Sequence, residues 1–221
     1  MAQDQEEAWR VSTTGGVLIV FEGGDGVGKT TQVDLLCSWL ANAGHEVLKT
    51  FEPGDTPVGA MIRQIVLDPA TGDMSPRAEA LLYAADKAQH LFAVVRPALE
   101  RGAVVVCDRF VDSMLAYQGA GRILQPADLE SIARWATEDL RPDLTVVLDA
   151  ELIDGVHAKS TKDRLESAGD GFHERTRQFF LELARREPER YLVLNARASR
   201  EEIAAQVAAR VAPLLMLARQ R

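Results

Sequence analysis

The chain has 221 residues, 47% of them hydrophobic, and a formal net charge of -8. That length suits one ample α/β domain with a sizeable core. The acidic balance argues against a general nucleic-acid binder, which shows a basic face, yet a few placed Arg and Lys can still hold a small anion. The first ten residues are mostly polar and acidic and no apolar run is long enough to cross a bilayer. No membrane partner is expected, and a cytoplasmic protein is. Cys37 and Cys107 lie far apart in apolar contexts and read as buried thiols, neither a disulfide framework nor a zinc pattern.

Residues 1–16 read as a disordered tail, and 17–217 as a single domain. Val17-Leu18-Ile19-Val20-Phe21 is apolar and β-branched, which predicts a strand buried on both faces. A glycine-rich loop follows at once. Val33, Leu35, Leu36, Trp39 and Leu40 then recur at helical spacing up to about residue 42, with Gly44 just beyond as a stop. Residues 46–51 predict a second strand, broken by Pro53-Gly54. Helices are predicted over 58–67 and over 76 to about 100, the second starting at Pro76 and broken or kinked near Pro97. Residues 103–107 predict a third strand, followed by helical stretches at about 111–118 and 126–138. A strand at 144–148, a helix at 171–186, a strand at 191–194 and a helix at 200–217 complete the chain. Residues 151–168 are polar and weakly periodic, a candidate mobile region. Strands alternate with helices throughout, the pattern of one parallel sheet covered on both faces.

The loop Gly23-Gly24-Asp25-Gly26-Val27-Gly28-Lys29-Thr30 fits G-x-x-x-x-G-K-[ST] without a gap, between an apolar strand and an amphipathic helix. The glycines allow a tight turn whose N–H groups point inward and form an anion nest. The helix N-terminus, which includes Thr31, adds its positive dipole end. Lys29 supplies a mobile charge for the β and γ phosphates of a nucleoside triphosphate such as ATP, and the Thr30 hydroxyl is a ligand for Mg2+. The loop does not reveal what becomes of the γ phosphate, since hydrolysis, transfer and conformational switching all use it.

No guanine-reading Asn-Lys-x-Asp is present, which argues against a switch GTPase. The third strand ends Cys107-Asp108-Arg109-Phe110. An Asp at the C-terminal end of such a strand lies beside the phosphate loop and can hold Mg2+ through water. Arg109 beside it can meet a transferring phosphoryl group. An ordinary surface Asp-Arg pair is the alternative.

Together the loop, Glu52-Pro53-Gly54, Arg63, Tyr83-Ala84-Ala85-Asp86, Asp108-Arg109-Phe110 and Ser113-x-x-Ala116-Tyr117-Gln118-Gly119 come in an order that resembles the thymidylate kinases, over nearly the whole chain. The resemblance implies a P-loop NTPase fold, a three-layer α/β/α domain with a five-stranded parallel sheet and a mobile lid at about 151–170. The implied activity is ATP- and Mg2+-dependent phosphorylation of thymidine monophosphate, carried out by a homodimer. It further implies that Asp25 places the acceptor sugar, that Arg63 grips the acceptor phosphate, and that Tyr83 stacks on the base. Tyr117 and Gln118 match the pair near the deoxyribose and base, with Ser113 at the same site. Lys87 stands where the family usually has Arg facing the base, and Lys lacks the planar two-pronged donor. Phe51 stands where many bacterial members have Arg, and is expected to pack against the acceptor pocket beside Glu52 and Pro53.

Some members carry a basic residue inside the phosphate loop. Here that position is Gly26, so a lid cation is expected instead. Asp163-Arg164-x-Glu166 resembles the family's lid motif, and Arg164 is favoured over Lys159 and Lys162 because a guanidinium suits spread-out phosphoryl charge. The catalytic set so implied is Lys29, Arg109, Asp25 and Arg164. Asn195-Ala196-Arg197 fits either a backbone-lined adenine site or an ordinary turn. Two alternatives remain from the residues alone: a kinase for another nucleoside monophosphate, motivated by Lys87 and Phe51, and a nucleotide-binding regulatory protein with weak transfer, motivated by the short lid.

Overall fold

The computed structural model describes residues 10–11, 15–122, 124–150 and 170–218. Five parallel strands form the central sheet: β1 (Val17–Gly23), β2 (Val47–Phe51), β3 (Val104–Asp108), β4 (Leu144–Asp149) and β5 (Tyr191–Asn195). Their spatial order is β2-β3-β1-β4-β5. The helices are α1 (Lys29–Asn42), α2 (Pro57–Leu67), α3 (Pro76–His90), α4 (Arg96–Glu100), α5 (Val111–Met114), α6 (Pro126–Ala136), α7 (Asp170–Arg186) and α8 (Arg200–Ala218).

Alternation along β1 divides the core in two. Val17, Ile19 and Phe21 pack with Val33, Leu36 and Leu40 of α1 and with Ile203, Val207 and Val211 of α8. Leu18 and Val20 face the opposite way, into a cluster with Ile62, Val66, Tyr83, Leu91, Leu99, Met114 and Leu129. Successive strand side chains point to opposite faces, so both must be apolar when helices cover both sides. A smaller cluster joins α7 to Tyr117 and Val147 through Phe172 and Phe180.

Two of the predicted helical stretches contain wide turns, the first just before the break expected near Pro97. Leu91–Val95 forms a π-helical turn between α3 and α4. Pro97 has no N–H to give to the Ala93 carbonyl, so the ladder is interrupted just where the wide turn lies. Leu115–Gly121 forms a second π-helical segment, directly after α5. Within the segment read as a tail, Arg10–Val11 pair in parallel with Leu140–Arg141. Helix α2 starts at Thr56, whose hydroxyl accepts from the Gly59 N–H at 2.8 Å, with Pro57 in the first turn.

Register positions the site. Phe21, Asp108 and Phe51 stand side by side across β1, β3 and β2. The ladder runs one step further: Arg109 N–H donates to the Phe21 carbonyl at 2.9 Å and Glu52 N–H to the Asp108 carbonyl at 3.0 Å. Glu22, Arg109 and Glu52 therefore leave the sheet at one level, at the carboxyl ends of adjacent strands, the crevice where open α/β sheets bind ligands.

Candidate active site

The phosphate loop turns on Gly23, Gly26 and Gly28, with φ of 130°, 75° and 95°. These are left-handed values that only glycine adopts without strain. Gly23 has a second reason: a Cβ there would lie 2.4 Å from the Leu148 carbonyl oxygen of β4. Val27 packs against the α1–α8 core, which anchors the loop's midpoint, while Gly24, Asp25 and Gly26 are exposed. The Lys29 ammonium folds over the loop and donates to the carbonyls of Gly23 at 3.0 Å and Gly24 at 2.5 Å. Burial, and next the Arg109 cation, push the Lys29 ammonium down to about 8, against Asp25, Asp108 and Glu22. Thr30 donates its hydroxyl to Asp108 Oδ2 at 2.9 Å, and Thr31 is exposed on the first turn of α1.

Beside the loop opens a cavity lined by Asp25, Glu52, Pro53, Arg63, Leu67, Tyr83, Lys87, Arg109, Ser113, Met114, Tyr117 and Gln118. Asp25 is its link to the phosphate loop. Arg109 Nη2 donates to Asp25 Oδ1 at 2.7 Å and Nη1 to Ser113 Oγ at 3.1 Å, while its guanidinium carbon lies 5.1 Å from the Tyr117 ring centre. Arg109 has φ of 71°, a left-handed non-glycine residue of the kind that surroundings must enforce. Burial, against the Arg109 cation, pushes the Tyr117 phenol up to about 12, so it stays neutral. The π-helical segment carries Tyr117 and Gln118 into the cavity, where Gln118 Nε2 donates to the buried Glu79 at 3.2 Å. Arg122 closes on the same carboxylate at 3.1 and 3.2 Å.

The cavity's other end rests on buried charge. Lys87 donates to Glu52 Oε2, and His90 Nδ1 lies 2.7 Å from Glu52 Oε1. Burial alone would raise the Glu52 carboxyl; Lys87 and His90 together overrule it and hold the group below its ordinary value. His90 Nε2 meets the Thr50 hydroxyl at 2.6 Å, and Thr50 donates to Asp55 at 2.5 Å. Asp86 accepts from the Gly54 N–H at 3.0 Å through one oxygen, and its other oxygen has no partner among the described residues. Burial, and then the Glu52 charge, push Asp86 up to about 6. Arg63 Nη1 donates to the Pro53 carbonyl at 2.7 Å.

A family model described as thymidylate kinase matches residues 21–207. The chain belongs to the thymidylate kinase family. It is similar to the thymidylate kinase of Cutibacterium acnes (strain DSM 16379 / KPA171202), 58% identical over 201 residues, covering 91% of this chain and 98% of that one. The thymidylate kinase of Clavibacter michiganensis subsp. michiganensis (strain NCPPB 382) is 54% identical over 204 residues, with 90% and 96% covered. Among solved structures, thymidylate kinase from Ehrlichia chaffeensis superposes with a TM-score of 0.73 at 27% identity, covering 88% of this chain and 97% of that one. Membership makes this a kinase, a phosphotransferase that uses ATP as co-substrate. No helix among the described residues is long and apolar enough to cross a membrane.

The site departs from the sequence expectation at Phe51. That ring does not line the cavity. It is 40% exposed at the end of β2, with the Arg63 guanidinium 5.9 Å from its centre. The alternation that buries Thr50 turns Phe51 outward. Arg164, Lys159, Lys162 and the rest of the expected lid lie outside the described residues. Sequence reasoning passed over Leu67 and Met114, the cavity's apolar wall, and the buried polar groups Glu22, Glu79 and His90. Glu22 did leave a signal: an acid one step past Leu18 and Val20 on the same face of a strand covered on both sides.

Proposed function

We propose that this chain transfers the γ phosphoryl group of ATP to thymidine monophosphate, with the two nucleotides meeting between Lys29 and Arg109. The observation that carries this reading is that Asp25 of the phosphate loop lines the acceptor cavity and is paired there with Arg109. An acceptor bound there would present its phosphate to the loop's mouth. The nucleophile is already a phosphate oxygen anion, so positioning and charge neutralisation suffice. In this reading Lys29 and the loop N–H groups hold the β and γ phosphates, and Arg109 meets the transferred group. Arg63 holds the acceptor phosphate, while Tyr83, Lys87 and Gln118 face the base. Tyr117 packs against the sugar, where a 2′-hydroxyl would clash. Arg164, in a lid at about 151–170, brings the cation that Gly26 does not.

The donor set fits Mg2+. Thr30 and Asp108 are paired at the loop's edge. A hydroxyl and one carboxylate, completed by water and substrate phosphates, is the coordination this hard cation takes. When bound, Mg2+ neutralises phosphate charge. We also read the protein as a cytoplasmic homodimer. Val58, Met61 and Ile65 recur on one face of α2 and are 42%, 59% and 42% exposed, and Leu81 of α3 is 56% exposed. Such a stripe wants a partner. Light scattering on purified protein checks the dimer.

The test of the activity is a coupled assay with thymidine, deoxyuridine and other monophosphates. Thymidine monophosphate should give the highest kcat/KM. A higher value for another acceptor would favour the second reading, motivated by Lys87, whose ammonium is already committed to Glu52.

A further inference from the structure

Glu22 ends the inward row Leu18, Val20, Glu22 of β1 and is fully buried. Its Oε1 accepts from the Phe110 N–H at 2.9 Å and the Ser113 N–H at 3.1 Å, and its Oε2 from the Ser113 hydroxyl at 2.6 Å. Ser113 Oγ accepts in turn from Arg109 Nη1, and Arg109 Nη2 reaches Asp25 in the phosphate loop. A continuous chain thus runs from a buried carboxylate to the mouth of the loop. The carboxylate touches none of the cavity's contents directly, since Glu22 does not line it. Its neighbour in sequence, Gly23, opens the loop. It therefore ties the start of the phosphate loop to the strained segment that carries Arg109.

We propose that Glu22 is a positioning residue for phosphoryl transfer, which sets Arg109 against the phosphate loop through Ser113 and the Phe110 amide. The inference rests on the reading that Arg109 meets the transferred phosphate. As a carboxylate, Glu22 only accepts, so all three donors point to it and the Ser113 lone pairs are left for Arg109. Protonated, Glu22 turns its own O–H toward Ser113 Oγ. The Ser113 hydroxyl must then swing away, and Arg109 has to share the oxygen with a second donor. The charge on Glu22 thereby decides how firmly Arg109 is held. Burial, and then Asp112, push the Glu22 carboxyl up to about 7, against Arg109, Ser113 and the Phe110 amide. The charged and titratable groups around it are Asp112 and Arg109, Lys29 of α1, Lys87 of α3, Cys107 of β3 and Tyr117.

The test is kcat against pH for the wild type, Glu22→Gln, Ser113→Ala and the double variant, with both nucleotides saturating. The acceptor phosphate loses its own second proton near pH 6, and that limb persists in every variant. The wild type should show a further rising limb near pH 7 that both single variants lose. At pH 8 each should lower kcat about ten- to a hundredfold, the scale of a misplaced catalytic group, with KM for ATP little changed. The double variant should be no worse than either single one, because both cut the same chain. Ser113→Ala keeps the carboxylate and its two backbone donors, so it decides the matter if Glu22→Gln does not fold. Loss of kcat by one factor at every pH would mean that Glu22 merely holds structure and would overturn the proposal, as would additive effects. Arg109→Ala separates the two ideas. If it leaves kcat unchanged, the reading of Arg109 fails. If it lowers kcat while the Glu22 and Ser113 variants keep the wild-type profile, only the positioning proposal fails.

Discussion

The phosphate loop carries one ammonium laid across backbone carbonyls, whereas the cavity beside it stands on the buried Glu52–Lys87 ion pair, with His90 hydrogen-bonded to the same carboxylate. A loop of this kind draws anion affinity from N–H groups and a helix end, which need no side-chain partners to be in place. The cavity has already met the cost of burying its ions before any substrate arrives. A loop of this kind follows whatever phosphate it holds. A cavity of this kind resists rearrangement, because moving one ion strands another.

The comparison breaks first at Lys87. Lys87→Met leaves Glu52 buried without its ammonium, and should cost about 3–5 kcal/mol of stability, measured by urea denaturation. If the loss is under about 1 kcal/mol, the cavity floor is not preorganised by charge. Adding Glu52→Gln to that variant should restore part of the loss, since no unpaired ion then remains.

Lys29→Ala tests the loop's side. Its fold should hold, since the carbonyls Lys29 meets can be solvated, while kcat falls on the order of a hundred- to a thousandfold and ATP affinity drops. Calorimetric titration together with the coupled assay separates the two. Unchanged ATP affinity would mean that the backbone nest alone does the binding.

The third prediction concerns pH and stability. Asp86 sits at about 6 and Glu22 at about 7, both above their ordinary values. The folded protein therefore keeps protons that the unfolded chain has released, so stability falls as pH rises from about 4 to about 7. Each group contributes at most about 3–3.5 kcal/mol to that fall. Tm should decline across the window, and Asp86→Asn should flatten the lower half of it. A Tm that climbs steadily to pH 8 in the wild type would contradict both assignments.

The smallest effect belongs to Phe51. Phe51→Ala removes an exposed ring beneath Arg63, worth about 0.5–1 kcal/mol. KM for the acceptor should rise by no more than about fivefold, with kcat unchanged. A hundredfold change would mean that the ring reaches the substrate after all.

The strands were legible because most are short apolar runs bounded by glycine, proline or polar residues, while Val47–Phe51, with Lys49 and Thr50 inside it, was bounded by the Pro53-Gly54 break; the helices were legible because their apolar residues recur with the helical period. The two π-helical segments were not legible, since Leu91–Val95 is an ordinary apolar run and the glycines at 119 and 121 of Leu115–Gly121 mark a weak helix without saying that its turns widen. Pro97 marked the first only as a break. In the cavity, resemblance brought Tyr83, Lys87 and Tyr117 together on the page. It could not say that Lys87 would be spent on Glu52, because that pairing spans 35 positions.

What the sequence alone determined is the glycine-rich loop Gly23 to Thr30 between β1 and α1. Its donors and glycines are contiguous, and a strand before and a helix after suffice to shape it. What only the tertiary structure decided is everything that depends on one strand end meeting another. Glu22 finds Ser113 across 91 positions, Thr30 finds Asp108 across 78, and Asp25 finds Arg109 across 84. Parallel register at the sheet's carboxyl edge puts these groups at one level, and burial then fixes which are charged. Neither register nor burial is written in any local run of residues.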